Sequence, residues 1–169
     1  MKIIKLLFFF TTLLTIAASA QTIQFDNKYE APAFTATFPN GAEVKYGHTE
    51  EGGTVTNSYT ASMQNGNVYI WLSYHDDPTD AQHKTLDQMV DDHLAPIKNA
   101  TVTKGEETIG NLRARTGVAI GTIQGIDASG YTRVAVSGKR LWQIIVFRIG
   151  GGVFTAVDAN RFFNSVVIR

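Results

Sequence analysis

The sequence contains no cysteine and only four prolines among 169 residues. The absence of cysteine excludes a disulfide-stapled scaffold and every thiol-dependent enzyme, so a folded domain must be held together by side-chain packing. Internal repeats, low-complexity tracts and Pro/Ser-rich linkers are also absent after the first twenty residues. These absences favour a single globular domain over residues 21–169, which is long enough to bury roughly 70% of its unfolded surface.

The longest hydrophobic run is confined to the first twenty residues. Two lysines are interspersed with an apolar run from Ile3 to Ile16, which is followed by the small-residue motif Ala18-Ser19-Ala20. This order is typical of a secretory signal peptide that is cleaved after residue 20. The run is shorter than the roughly 18 to 20 residues that a membrane span requires. We therefore predict a signal peptide over residues 1–20, a secreted or periplasmic protein, and no integral membrane anchor after cleavage.

Charge is nearly balanced in total but not along the chain. Residues 21–169 contain 13 basic and 15 acidic side chains, a net charge of −2, which gives no reason to expect nucleic acid as a partner. Residues 21–97 carry a net charge of −8, whereas residues 98–169 carry +6. Either the two halves interleave and neutralise each other in one fold, which we favour, or they form a polarised surface for a partner.

Turn-forming residues separate β-favouring runs at short intervals. The pair Asn65-Gly66 lies between the runs Thr54–Met63 and Val68–His75, which is a strong signal for a β-hairpin. Later runs are also joined by tight turns, so we predict a mostly antiparallel sheet. The run Leu141–Ile149 is apolar on both strand faces. Such a strand must be covered on both sides, and we expect helices or long crossing segments to cover it.

Two segments have the pattern of amphipathic helices. Thr85 and Gln88 form a capping box ahead of an apolar stripe at helical spacing, which a proline should end. Near the C-terminus, Asp158 is expected to be the N-cap of a two-turn helix that buries Phe162 and Phe163 against the sheet. These elements predict an α+β fold with a central, mostly antiparallel β-sheet that helices cover on both sides.

Several stretches of the sequence resemble one known family. The stretches FTATFP (34–39), GEETIGNLRARTGVAI (105–120), YTRVAVSGKRLWQIIV (131–146) and DANRFFNSV (158–166) are similar to the PsbP-like proteins, relatives of the extrinsic P subunit of the photosystem II oxygen-evolving complex. The resemblance implies a single PsbP-like domain over residues 21–169, folded as an α/β/α sandwich. Members are typically non-catalytic accessory, assembly or partner-binding proteins, and many are exported bacterial domains of unknown role. The sequence has no sign of photosynthetic targeting, so the photosystem role is not carried over.

The segment 75–93 holds three of the four histidines and six of the nine aspartates. Imidazole and carboxylate groups are ligands for zinc or manganese, and His75, Asp76, Asp77 and His83 are the candidate ligands. Their spacing matches no standard zinc or calcium motif. A solvated acidic surface is the competing interpretation, and we favour it. We therefore expect no cofactor, with a divalent metal ion as the alternative.

A group of basic residues is the candidate binding site. Arg113 and Arg115 share one face of a predicted strand, Arg133 is placed on a neighbouring strand, and Lys139 and Arg140 occupy a turn. Such a cluster can hold a carboxylate or a phosphate group. Alternatively, these basic side chains lie on a solvent-exposed sheet face and form salt bridges with the acidic half of the chain, which is the interpretation we favour.

Aromatic residues on the predicted hairpin are a further candidate surface. Tyr69 and Trp71 share a strand face with His75, and Tyr59 is expected to pair with this row across the hairpin. Rows of this kind are usually part of a core, but at an exposed rim they form a binding patch.

No catalytic motif is recognisable in the sequence. There is no nucleophile elbow and no thiol, and the three glycines at 150–152 are not followed by the residues of a P-loop. We therefore predict a non-catalytic binding or accessory module whose partner is an unknown protein or small ligand. The alternatives are a metal-binding protein that uses residues 75–93 and, less favoured, a small hydrolase whose site is assembled in space.

Overall fold

The structure is a computed structural model that describes residues 23–63, 67–76, 84–151 and 154–169. The predicted signal peptide over residues 1–20 lies outside the described residues, as do the turn at 65–66 and the candidate ligands Asp77 and His83. The described part of the chain contains two helices, α1 (Leu86–Leu94) and α2 (Ala156–Ser165). Its strands are β1 (Phe25–Ala31), β2 (Phe34–Pro39), β3 (Glu43–Glu51), β4 (Thr54–Ser62), β5 (Val68–Asp76), β6 (Lys98–Ile109), β7 (Leu112–Ile123), β8 (Ile126–Ser137), β9 (Arg140–Ile149) and β10 (Val167–Ile168).

The strands form two antiparallel sheets. The larger sheet has seven strands in the order β3-β4-β5-β9-β8-β7-β6, and the smaller has three in the order β1-β2-β10. Strands β4 and β5 pair antiparallel from Val55 opposite Asp76 to Ser62 opposite Tyr69, so the predicted hairpin partners are confirmed. Strand β9 lies in the middle of the large sheet between β5 and β8. The mostly antiparallel character of the sheet is therefore also confirmed.

One face of the large sheet, here called the inner face, is covered by the small sheet and by α2. Phe34 and Phe38 of β2 are fully buried there. The Phe34 ring meets Tyr59 and Trp142 of the large sheet, with ring centroids 4.8 and 6.3 Å apart. From α2, Phe162 packs on Phe38 at a centroid distance of 5.0 Å. The main core therefore lies between two sheets.

The opposite face, here called the outer face, is covered by α1 over strands β7 and β8. Val90 and Leu94 of α1 are buried in a second, smaller cluster. The helix can approach the sheet because Gly117 of β7 has no side chain: a Cβ atom there would stand 2.4 Å from Val90 Cγ1. Over β3, β4 and β5 the outer face carries exposed side chains, including Tyr69 and Trp71.

The predicted α+β fold, with helices on both sides of the sheet in an α/β/α sandwich, is wrong. The molecule is mostly β, because a second sheet covers most of the inner face and one nine-residue helix covers part of the outer face. Leu141 and Trp142 are both buried, so β9 is indeed covered on both sides. An apolar pattern on both faces requires cover, but it does not specify whether a helix or a sheet provides it.

Helix α1 begins and ends as predicted. The Thr85 hydroxyl accepts from the Gln88 amide at 3.2 Å, and the Gln88 side chain accepts from the Thr85 amide at 2.8 Å. These two bonds form the reciprocal capping box. The helix ends at its C-cap, Ala95, immediately before Pro96, which cannot supply the amide that a further turn needs.

Helix α2 begins three residues earlier than predicted. Its N-cap is Thr155, and Asp158 is the third helical residue, whose carboxylate accepts from the Thr155 amide at 2.8 Å. Asp158 was therefore assigned the wrong place in the cap, although it does belong to the capping box. Phe162 and Phe163 are both buried, as predicted.

Candidate functional site

The basic candidate residues are separated into three groups. Arg113 and Arg115 lie together on the outer face of β7, as predicted from their spacing. Arg113 forms an ion pair with Glu106 of β6, and Arg115 forms one with Asp87 of α1. These two arginines therefore belong to a solvated, salt-bridged surface around α1, which was the favoured interpretation for the whole set.

Arg133 lies on the opposite, inner face and is only 3% exposed. Its Nη1 atom donates to the Thr108 carbonyl oxygen at 2.6 Å and to Asn164 Oδ1 at 3.3 Å, and its guanidinium lies 4.7 Å from the Phe163 ring centroid. Burial lowers the pKa of Arg133, because the charged guanidinium loses its hydration. The Glu107 carboxylate, 4.0 Å away, opposes this shift only in part. Arg133 is a structural link between β8, β6 and α2 and does not belong to an accessible binding surface.

Lys139 and Arg140 line a cleft at one end of the two-sheet sandwich. The cleft has a volume of about 430 Å³ and is formed where the end of β5, the β8–β9 turn and the C-terminal strand meet. We call it the basic cleft. Its lining residues are Asp76, Ser137, Lys139, Arg140, Trp142, Ile168 and Arg169.

Arg140 is held rigidly at the wall of the basic cleft. It stands directly opposite Asp76 in the pairing of β5 with β9, and its Nε and Nη2 atoms donate to the two carboxylate oxygens at 2.6 and 3.1 Å. The guanidinium also lies over the Tyr74 and Trp142 rings, 4.7 and 5.9 Å from their centroids. The hydrogen bond that Arg140 donates to Asp76 raises the pKa of Arg140. This fork-like pairing uses two guanidinium nitrogens and leaves Nη1 as a donor.

Trp142 forms part of the cleft wall and carries a donor without an acceptor. The side chain is shielded from bulk solvent, and no described residue accepts a hydrogen bond from its Nε1 atom. A buried donor left unpaired costs about 1 to 3 kcal/mol, and most such groups in native proteins have a partner. Sequence reasoning missed this residue, because a tryptophan in an apolar strand indicates core packing.

Cations outnumber carboxylates among the described side chains that line the basic cleft. Lys139, Arg140 and Arg169 are cations, and Asp76 is a carboxylate that pairs with Arg140. Arg169 also reaches Glu30 at 3.4 Å, but both side chains are about half exposed, so this pair holds it only weakly. Several cationic side chains are therefore close together in the cleft.

The metal candidates are only partly described, and the described ones are not brought together. His75 and Asp76 are consecutive in β5, so they lie on opposite faces of the sheet. On the outer face, the His75 ring nitrogens lie 3.0 Å from Thr56 Oγ1 and 3.1 Å from Gln143 Oε1, whereas Asp76 binds Arg140. Within the described ranges, no group of three or more His, Asp or Glu residues is placed to hold a metal ion. A metal site that involves Asp77 and His83 stays a prediction.

The aromatic residues of the hairpin divide between the two faces. Tyr69 and Trp71 share the outer face with His75, as predicted. Tyr59, however, stands opposite Leu72 in the β4–β5 pairing and is buried in the main core. The prediction that Tyr59 joins the Tyr69–Trp71 row is therefore wrong, because the register places it on the inner face.

Comparison with known proteins supports the fold and not a family. No family model and no curated protein matches the sequence. A protein of Bacteroides thetaiotaomicron VPI-5482 is 13% identical, with a TM-score of 0.49 over 84% of this chain and 48% of that one. The chain thus spans about half the length of that protein. LpqN of Mycobacterium tuberculosis, described as involved in cell envelope biogenesis, is 13% identical, with a TM-score of 0.51 over 83% of this chain and 87% of its own.

The similarity to LpqN shows a shared fold, and the resemblance to PsbP-like proteins is not confirmed by the family comparison. Neither helix in the described ranges has the length and hydrophobicity that crossing a bilayer requires.

Proposed function

We propose that the protein is an exported, non-catalytic binding module that holds an anionic group of its partner, a carboxylate or a phosphate, in the basic cleft. The observation that carries this proposal is Arg140, which Asp76 fixes in the cleft wall with Nη1 outside their paired hydrogen bonds, while Lys139 and Arg169 are further cationic side chains of the lining. The predicted signal peptide supports export. The fold shared with LpqN, a protein described as involved in cell envelope biogenesis, supports a place in the bacterial envelope.

An oxyanion in the cleft would accept a hydrogen bond from Arg140, whose Nη1 atom remains after Nε and Nη2 have bound Asp76. Lys139 adds positive charge from the β8–β9 turn. The buried Trp142 ring, 5.9 Å from the Arg140 guanidinium, would report the binding. Because Asp76 and the aromatic rings already hold Arg140, binding immobilises little that was free, which favours affinity.

The same residues support binding without turnover. Ser137 is the cleft hydroxyl, and a serine nucleophile needs an adjacent base. Asp76 is the carboxylate in the cleft, and its two oxygens accept from Arg140. No histidine is present among the described lining residues.

The two tryptophans of the chain provide the test. Each gives one indole N–H signal in a proton–nitrogen correlation spectrum, and Trp142→Phe and Trp71→Phe variants assign the two signals. We expect the Trp142 signal to shift and saturate as acetate or inorganic phosphate is added to residues 21–169 at constant ionic strength. The Trp71 signal serves as the internal reference, since Trp71 lies on the other face. The two titrations decide between carboxylate and phosphate as the preferred group.

Variants of the cleft make the assignment specific. Lys139→Ala should weaken binding about tenfold, since a hydrogen bond to a charged group contributes roughly 1.5 to 3 kcal/mol. Lys98→Ala, on the distant strand β6, is the matched control and should leave binding unchanged. A Trp142 signal that does not move with either anion, or that moves to the same extent with and without Lys139, would contradict the proposal.

A further inference from the structure

The uncovered half of the outer face has a regular composition. Cross-strand pairing places residues of β3, β4, β5 and β9 side by side in two adjacent rows. Each row runs from a charged residue on the edge strand through a hydroxyl and an aromatic ring to an apolar residue on β9. We call these eight residues the Trp71 face: Lys45, Thr60, Trp71 and Ile145 in one row, and Glu43, Ser62, Tyr69 and Phe147 in the other.

Two large aromatic side chains of this face are exposed to solvent, which is unusual for the solvent-facing side of a sheet. Trp71 is 36% and Tyr69 is 46% exposed, and together with Ile145 and Phe147 they line a shallow depression of about 320 Å³. Antiparallel sheets that face water normally present polar side chains there. A patch of two adjacent large rings with a polar rim is typical of a surface that another molecule covers.

The charges of the face indicate which molecule covers it. Lys45 and Glu43 lie two residues apart on the same side of edge strand β3, with side chains 71% and 76% exposed and only a loose contact of 3.8 Å between them. The face is therefore neutral, and its charges do not favour a strongly acidic or basic partner. A two-fold axis that crosses the strands between the two rows would place each Lys45 opposite the Glu43 of the second copy, because a two-fold interface uses the same patch on both copies.

The size of the face fits a weak association of two copies. Its two rows cross four strands about 4.8 Å apart and lie about 6.6 Å apart along each strand, so they present a footprint of roughly 19 by 13 Å. This is less than the about 800 Å² that each partner buries in a stable interface, so the dimer should dissociate at low concentration. Two flat sheet faces also pack well against each other, at a separation of about 10 Å.

From the register, exposure and charge of these residues, we infer that two copies of the chain associate through the Trp71 face around a two-fold axis. The inference goes beyond the proposed function. The cleft residues Asp76, Arg140 and Trp142 lie on the inner side of the same sheet, so the two basic clefts of a dimer remain open. Two clefts in one particle would bind a multivalent anionic partner more tightly than either cleft alone.

Sedimentation velocity on residues 21–169, from low to high micromolar concentration, tests the inference. We expect a concentration-dependent monomer–dimer equilibrium that Trp71→Glu abolishes. Lys45→Glu should weaken the dimer at least about tenfold, because it sets like charges against each other at two symmetry-related positions. The double change Lys45→Glu with Glu43→Lys should restore the dimer, since exchange of the two charges keeps the two-fold pairing.

Val157→Glu is the matched control, because Val157 is exposed on α2, away from the Trp71 face. Circular dichroism establishes that each variant is folded, and Tyr69→Lys replaces Trp71→Glu if the latter does not fold. A protein that stays monomeric at every concentration, a dimer that persists in the folded face variant, or a double charge exchange that fails to restore association overturns the inference. None of these outcomes changes the expected anion titration of the basic cleft.

Discussion

His93 has a charge state that depends on the fold. Its ring lies between α1 and the outer face of β8, where Nδ1 is 2.8 Å from Thr132 Oγ1. Burial lowers the pKa of His93 to about 4, and the nearby Asp92 carboxylate opposes this shift only in part. The pKa of a histidine in the unfolded chain is about 6.5. His93 is therefore neutral in the native protein at neutral pH.

This difference predicts a loss of stability in mild acid. Between pH 6.5 and about 4 the unfolded chain binds a proton that native His93 does not, so the free energy of unfolding should fall across this window by about 3 kcal/mol. Above the window both states are neutral at this site, and the contribution is constant. Urea unfolding at both ends of the window measures the loss, which His93→Gln should largely remove.

His48→Gln is the matched control, because His48 is exposed on β3. It should keep the acid sensitivity of the wild type, apart from the background that the carboxylates contribute to every variant. If His93→Gln loses as much stability in acid as the wild type does, burial of His93 is not the cause.

The binding residues show what a sequence can and cannot predict at this scale. Lys139 and Arg140 could be placed in a turn, because glycine and polar residues mark turns locally. The pairing of Arg140 with Asp76 joins residues 64 positions apart, and local patterns do not contain that register. Whether the Trp142 N–H finds an acceptor depends on the three-dimensional position of every neighbouring atom, which the sequence does not give. Arg133 does lie on the strand next to that of Arg113 and Arg115, but it occupies the buried face, because alternation does not decide which face of a strand is buried.

At the scale of elements, glycine controls where α1 lies on the sheet. A Cβ atom at Gly117 would stand 2.4 Å from Val90 Cγ1 and 2.9 Å from Leu94 Cδ1, and one at Gly130 would stand 2.6 Å from Ile97 Cδ1. All three contacts are closer than side-chain packing tolerates. The helix therefore sits over β7 and β8, where the outer face has the room to receive it.

Gly117→Ala should accordingly destabilise the protein by about 1 to 3 kcal/mol, because the new methyl group forces α1 outward or the strand inward. The measurement is urea unfolding at neutral pH. The double variant Gly117→Ala with Val90→Ala should lose at least about 0.5 kcal/mol less free energy of unfolding than the two single variants lose together, since both changes act on one contact. Gly105→Ala is the control, because its Cβ would meet Thr116 Cγ2 at an ordinary 3.4 Å; an equal loss there would remove the steric explanation.

The elements that could be predicted are those with local signals. The capping box of α1 and the β4–β5 hairpin each depend on residues close together in sequence. The small sheet does not, because β2 pairs with β10 across almost the whole chain, with Ile168 opposite Phe34. The apolar residues 166–168 predict a short strand or a tail, but a two-residue strand does not specify its partner. The second sheet therefore could not be deduced, and the helical layer predicted in its place was wrong.

At the scale of the whole molecule, the two oppositely charged halves of the sequence interleave. Arg115 pairs with Asp87, Lys104 with Asp91 and Arg140 with Asp76, and each of these ion pairs joins residues 98–169 to residues 21–97. This agrees with the favoured interpretation, in which the halves neutralise each other inside one fold. At the basic cleft, β10 and the β8–β9 turn bring several cationic side chains close together.

The two sheets and α2 share one core, which predicts that residues 21–169 unfold as a single cooperative unit. Phe34 and Phe38 of the small sheet, Trp142 of the large sheet and Phe162 of α2 belong to the same buried cluster. A three-stranded sheet would expose these phenylalanines to water without the cover of the large sheet, which costs the free energy of their burial. The α1 cluster is joined to the core through β9, which buries Leu141 on one face and Trp142 on the other.

The Trp71→Phe variant, at a concentration low enough to keep it monomeric, leaves Trp142 as the one tryptophan reporter of the core. Its fluorescence and the far-ultraviolet circular dichroism should give coincident urea transitions. Phe34→Ala should move both transitions together by about 3 to 5 kcal/mol, because it opens a cavity that both sheets line. A fluorescence change that precedes the loss of β-structure would instead mean that the small sheet and α2 detach first, and that the molecule contains two units where the shared core requires one.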